Sequence, residues 1–222
     1  MKIAVLGTGI KAEAWKSRNL NPDSYTWAQD TKSHYDFDIF IDLNFDEHPE
    51  KLSDYVCNEK TIFLFSALNV TIEGAFHAAK LTPMSLKIIG INALPTMIDR
   101  ETMEYTNPLN VENVEAIFNQ LGYQKHTQVD SRVGMVTPRI ISMIINEAFY
   151  TVQEGTANQA DIDTAMKLGV NYPKGPFEFL DLIGVENIYS LLQALYEDTQ
   201  EERYKICAAL KKEYLKQKIS NY

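Results

Sequence analysis

An apolar run that breaks into a glycine turn opens the sequence: Lys2-Ile3-Ala4-Val5-Leu6-Gly7-Thr8-Gly9-Ile10-Lys11-Ala12. A strand that stops at Gly-x-Gly and passes directly into a helix leaves few architectures open. Gly7 permits the sharp turn, Gly9 lets main chain approach the oxygens of an anion, and Ala12 takes the third small position, where helix packs on strand. The N–H groups at the helix start then face a phosphate group. Asp30 closes the next apolar run, Tyr25–Asp30, where an acidic side chain would hold ribose hydroxyls. A Gly-x-Gly-x-x-Ala run also suits a plain strand–turn–helix; the acid in register favours dinucleotide geometry. Gly7, Gly9, Ala12 and Asp30 are the candidate cofactor-binding residues.

The first half alternates short apolar runs with amphipathic segments. Strands are expected at Lys2–Leu6, Tyr25–Gln29, Asp38–Leu43, Thr61–Ser66, Leu86–Ile91 and Gln124–Val129. Helices are expected at Ile10–Arg18, Pro49–Val56, Thr71–Lys80 and Glu112–Leu121. This alternation implies an α/β fold, a mostly parallel Rossmann-like sheet with helices on both faces. The crossover after the second strand is truncated: only Thr31–Phe37 separates it from the third, too little for a full helix. Beyond Val129 the pattern becomes helical. Segments over Pro138–Glu154, from Asn158 or Asp161 through Gly169, Phe177–Ile183, Val185–Tyr196 and Glu202–Lys216 predict an all-helical second domain. Two domains follow, 1–129 and 130–222, with no Ser/Gly-rich linker between them, so direct packing of the two is expected.

Composition narrows the partners. A net charge of −9 argues against nucleic acid or an anionic membrane. No apolar run approaches the roughly 20 residues of a membrane span, and the opening residues read as a core strand rather than a signal peptide. The two cysteines, Cys57 and Cys207, are far apart without metal spacing, which fits idle thiols in a reducing cytoplasm. No histidine pair has metal-ligand spacing, so no metal is expected.

The helical half resembles the C-terminal domain of the 3-hydroxyacyl-CoA dehydrogenases. The resemblance rests on Asn146-Glu147-Ala148, Glu154-Gly155, the run Asp161–Gly169, Pro173-Lys174-Gly175-Pro176-Phe177-Glu178, Asp181-Leu182-Ile183-Gly184 and Tyr204, in order and spacing. The first half is similar to that family's nucleotide-binding domain, more loosely. The resemblance implies NAD(H) on the Rossmann-like domain, an acyl-CoA between the domains, oxidation of a 3-hydroxyl by hydride transfer, and a homodimer through the helical domain. NAD is expected over NADP because Asp30 would repel a 2′-phosphate.

The sequence also departs from that family. Where the family carries a catalytic histidine after the fifth strand, the segment Gly90-Ile91-Asn92-Ala93-Leu94-Pro95 places Asn92. An amide cannot act as a base, although it can hydrogen-bond a carbonyl or hydroxyl. Asn92 equally suits a loop residue satisfying local backbone. Glu104 matches the family's histidine partner, with Glu101 as the alternative in a shifted register, and Ser66 matches a serine that touches the substrate hydroxyl. A serine at a strand end also commonly caps the next helix. Pro138 replaces a family asparagine, and the helical insertion expected after the second strand is missing. Ser66, Asn92 and Glu104 are the candidate catalytic residues. Two functions remain: an NAD-dependent dehydrogenase acting on a 3-hydroxyacyl-CoA or a smaller 3-hydroxy acid, and a catalytically degraded homologue serving as a nucleotide-binding protein or dimeric scaffold.

Overall fold

The computed structural model describes every residue except Asn19, Val56, Cys57, Met84, Asn221 and Tyr222. The chain divides into two units, Met1–Met135 and Val136–Tyr222.

The first unit is built on a sheet of β1 (Ile3–Leu6), β2 (Thr26–Trp27), β3 (Ile39–Asp42), β4 (Ile62–Ser66), β5 (Lys87–Ile91), β6 (Thr102–Thr106) and β7 (Lys125–Gln128). Its spatial order is β2-β1-β3-β4-β5-β6-β7. The pairs from β2 through β5 are parallel, β6 runs antiparallel to β5, and β7 is parallel to β6. Three helices accompany the sheet: α1 (Gly9–Lys16), α2 (Ile72–Ala79) and α3 (Val114–Gln120).

Side chains alternate across a strand, so each face collects its own residue type. One face is largely aliphatic: Ile3, Val5, Ile39, Ile41, Leu64 and Ile89 join Trp15 of α1 and Ile117 and Phe118 of α3 in a single core. The other carries Phe40, Phe63 and Phe65, all fully buried. Phe40 and Phe63 are register partners on adjacent strands. A six-residue 3-10 helix, Thr31–Asp36, makes the truncated crossover, and a second, Pro49–Asp54, stands where an amphipathic helix was expected. Aromatic side chains do the covering that a longer crossover helix would do. His34 and Tyr55 lie within 5.4 and 5.1 Å of the Phe63 ring. The His34 ring accepts from Asn58 at Nδ1 (2.8 Å) and donates from Nε2 to the Asp54 carbonyl (3.1 Å). Burial holds its pKa below the ordinary histidine value, so His34 is a neutral core residue.

Two expectations need correction here. The second strand keeps only Thr26–Trp27 of Tyr25–Gln29, because an edge strand pairs on one side alone. β6 was not anticipated. It forms because the loop after β5 reverses the chain and buries Met103 and Tyr105 in the aliphatic core.

The second unit contains α4 (Thr137–Gln153), α5 (Gln159–Val170), α6 (Pro176–Ile183), α7 (Val185–Thr199) and α8 (Ala208–Ser220). Asn158 caps α5 by accepting from the Asp161 N–H at 3.0 Å. The expected helix Glu202–Lys216 is split into a 3-10 turn, Glu202–Tyr204, and α8. Asn146 of α4 explains the break: its Nδ2 donates to the Lys205 carbonyl and its Oδ1 accepts from the Cys207 N–H, both at 2.9 Å. Those main-chain groups are thereby unavailable to a continuous helix. Cys207 is a buried free thiol; Cys57 lies outside the described residues.

Candidate functional site

The sheet order reverses at β1. Its neighbour on one side is β2 and on the other β3, both parallel to it. In an open parallel sheet this switch point leaves a crevice at the carboxyl ends of the strands. The glycine turn occupies that end of β1. Thr8 is the N-cap of α1, no side chain caps the first turn, and no acidic residue lies within it. Gly9 takes a left-handed φ of +61°, and a Cβ added there would meet nothing within 4 Å. The turn therefore exposes main chain to open space at a helix N-terminus, an arrangement that accepts an anion. Gly7 sits differently: a Cβ on it would lie 2.8 Å from Leu43 Cδ1, so Gly7 allows β1 to close on the end of β3. Ala12 is buried at 5% exposure, as packing of helix on strand demands. Asp30 follows the pairing of the Ala28 N–H with the Val5 carbonyl, which sets it at the same end of the sheet. One carboxylate oxygen of Asp30 accepts from the Lys32 N–H (3.0 Å) and the Ser33 hydroxyl (2.9 Å). The acid is thus held by its own turn.

A charged network flanks the turn that the motif does not announce. Lys11, in the first turn of α1, is 2% exposed. Its ammonium lies 2.8 Å from Asp46 Oδ1 and 2.9 Å from Glu47 Oε1. Burial alone would lower the Lys11 pKa, but the two carboxylates reverse that and raise it, so the ammonium stays charged. The other Asp46 oxygen accepts from the Leu68 N–H at 3.3 Å, beyond the end of β4. Asn44 completes the chain of contacts: its Oδ1 accepts from the Thr8 N–H (2.8 Å) and its Nδ2 donates to Glu47 Oε1 (2.8 Å). At the end of β3, Asp42 accepts from the Tyr55 hydroxyl (2.8 Å) and the Asn44 N–H (2.9 Å). Burial raises the Asp42 pKa above the ordinary carboxylate value, against the pull of those two bonds.

Ser66, Asn92 and Glu104 lie on or beside neighbouring strands, linked through the main chain. Ser66 ends β4 in register with Ile91 of β5, and the Asn92 N–H donates to the Glu104 carbonyl at 3.0 Å. Ser66 is fully buried and its hydroxyl has no hydrogen-bond partner among the described residues. Such an orphaned hydroxyl is uncommon and calls for a reason. Asn92 is 3% exposed and its Oδ1 accepts from the Leu94 N–H at 3.2 Å, closing its own loop. Among the described residues, no three His, Cys, Asp or Glu side chains group to hold a metal.

Sequence reasoning missed Lys11, Asn44, Asp46 and Glu47. The only local signal was a lysine in a turn that otherwise favours uncharged residues, and two acids shortly after an apolar strand.

Residues 134–221 match the family model described as "3-hydroxyacyl-CoA dehydrogenase, C-terminal domain". The chain is 28% identical to the 3-hydroxyadipyl-CoA dehydrogenase of Escherichia coli K12 over 191 residues, 86% of this chain and 39% of the relative. It is 29% identical to the 3-hydroxybutyryl-CoA dehydrogenase of Clostridioides difficile over 179 residues, 76% of this chain and 62% of the relative. It therefore spans less than two thirds of the length of either. Among solved structures, (S)-3-hydroxybutyryl-CoA dehydrogenase PaaH1 from Ralstonia eutropha shares the fold: TM-score 0.69, 22% identity, 95% of this chain and 92% of that one. The second unit thus matches the C-terminal domain of the 3-hydroxyacyl-CoA dehydrogenases, and the chain as a whole is similar to dehydrogenases of that kind.

Proposed function

We propose that the chain is an NAD(H)-dependent oxidoreductase interconverting a 3-hydroxyacyl-CoA, or a small 3-hydroxy acid, with its 3-keto product, in fatty-acid-type metabolism in the cytoplasm. The observation that carries this reading is the uncapped glycine turn at the switch point, with Gly9 open to ligand and Asp30 at the same sheet end. The residues fit a dinucleotide. Gly7, Gly9 and Ala12 would receive its pyrophosphate and Asp30 its adenosine ribose, which favours NAD over NADP. When bound, NAD supplies the hydride acceptor.

The chain's own residues would act on the substrate oxygen. The Ser66 hydroxyl, buried without a partner, is free to donate to it. The Asn92 amide can donate beside it but cannot take a proton, so the hydroxyl proton would pass to water or to Glu104. Loss of a positioned base typically costs ~10²–10⁴ in rate, which predicts a slow enzyme. A homodimer through the helical unit is part of the proposal. None of the twelve residues of α5 is buried, and Leu168 and Val170 of that helix are 83% and 58% exposed. A monomeric mass in light scattering would remove that part.

A second reading, a homologue that binds nucleotide or serves as a scaffold without turnover, is favoured by one observation: Asn92 already spends its carbonyl oxygen on the Leu94 N–H. Following NADH fluorescence on adding protein, and then acetoacetyl-CoA, separates the two. A protein-dependent decay, accelerated by Asn92→His, is the expected result. Binding without decay favours the second reading, and the absence of any NADH signal sinks both as nucleotide-binding proteins.

A further inference from the structure

The charge count beside the glycine turn does not balance. One ammonium, Lys11, faces two carboxylates, Asp46 and Glu47. Asp46 is its enclosed partner: the Asp46 side chain is 1% exposed and the Lys11 side chain 3%. Glu47 is the surplus, with 42% of its side chain exposed. The surplus is tied to the turn, since the Glu47 oxygen that meets Lys11 also takes the Asn44 amide, and Asn44 holds the Thr8 N–H. Two hydrogen bonds and one amide group therefore separate a net negative charge from the cap residue of α1, on the order of 6–8 Å. A helix N-terminus attracts anions; this carboxylate opposes that attraction at the same place.

We propose that Glu47 sets the affinity of the glycine turn for a dinucleotide, by electrostatic repulsion of the pyrophosphate, and keeps that affinity low. The inference rests on the reading of this turn as the dinucleotide site. Glu47→Gln is the discriminating change, because a glutamine oxygen can still accept from both Asn44 and Lys11 while the buried Lys11–Asp46 pair keeps its charge balance. Removing one charge at that distance from a doubly charged pyrophosphate gives about three- to thirtyfold tighter binding at low salt.

The test is a titration of the whole protein with NADH, read by nicotinamide fluorescence, and a parallel titration with ADP-ribose, read by calorimetry. Neither depends on turnover. Glu47→Gln is expected to bind both ligands at least threefold more tightly than wild type, and the charge-preserving Glu47→Asp to stay near wild type. The gap should narrow as salt rises from about 0.05 to 0.5 M, where the Debye length falls below the separation. Wild type alone carries the same test should the variant fail to fold. Repulsion by Glu47 makes its affinity flat or rising with salt, whereas a turn governed by attraction loses affinity. Equal affinities for wild type and Glu47→Gln, or a steep loss of wild-type affinity with salt, overturn the role of Glu47 and leave the dinucleotide reading standing. Failure of both proteins to bind either ligand overturns that reading as well.

Discussion

The N-termini of α1 and α6 are the same physical object finished in opposite ways. Each begins with N–H groups that have no partner in the preceding turn. At α6 they are satisfied from within. Asp163 of α5 accepts from the Phe177 N–H (2.9 Å) and the Glu178 N–H (3.2 Å), the Glu178 carboxylate accepts from the Gly175 N–H (2.9 Å), and Pro176 has no N–H to satisfy. Gly175 is needed for contact, since a Cβ there would lie 2.2 Å from Asp163 Oδ1. At α1 no side chain caps the first turn, and the nearby acids are turned onto Lys11 instead. A helix start filled by its own chain is architecture. One left open at a switch point is a place for something else.

Three variants sharpen or break this contrast. The largest effect is expected from Lys11→Met, which strands the Asp46 carboxylate in a buried setting; loss of one partner of such a pair costs about 3–5 kcal/mol. Urea unfolding reads it, and a loss below about 1 kcal/mol would show that the acids beside α1 do not depend on Lys11. Next comes Gly175→Ala. The added methyl must push Asp163 off the α6 terminus, costing two capping bonds plus overlap, about 2–3 kcal/mol. Unchanged unfolding would mean that α6 does not need its internal cap. Smallest is a pH effect at Glu178, whose hydrogen bond from Lys167, helped by the Gly175 N–H, holds its pKa below the ordinary value. Its contribution is fully present above the unfolded glutamate pKa and is lost as pH falls through the lowered folded value. Thermal melts of wild type should therefore fall below about pH 4.5 more steeply than those of Glu178→Gln. Parallel melting curves would remove Glu178 from the capping account.

What the sequence disclosed follows from range. β1, the turn and α1 are contiguous, so their order was legible in residues 2–16, and Asp30 was reachable by counting along one βαβ unit. The helical unit was legible for the same reason, since each helix carries its own period and stop signals. β6 was not: Thr102–Thr106 does alternate, burying Met103 and Tyr105, but its strand character depends on pairing with β5 across a reversed loop. Lys11 and Asp46 are 35 residues apart, and only the parallel pairing of β1 with β3 brings them together. Asn92 and Ser66 were located by resemblance. The bond that closes the Asn92 loop and the solitude of the Ser66 hydroxyl belong to packing, which no local pattern encodes.

The two margins of the sheet limit how this chain can associate with itself. β2 offers a foreign strand only two residues to pair with, and β7, at the other margin, presents Lys125-His126-Thr127-Gln128 with no buried position. A stub and a hydrophilic ribbon are poor templates for continuing a sheet. The molecule is thereby guarded against open-ended, fibre-like growth through its strands.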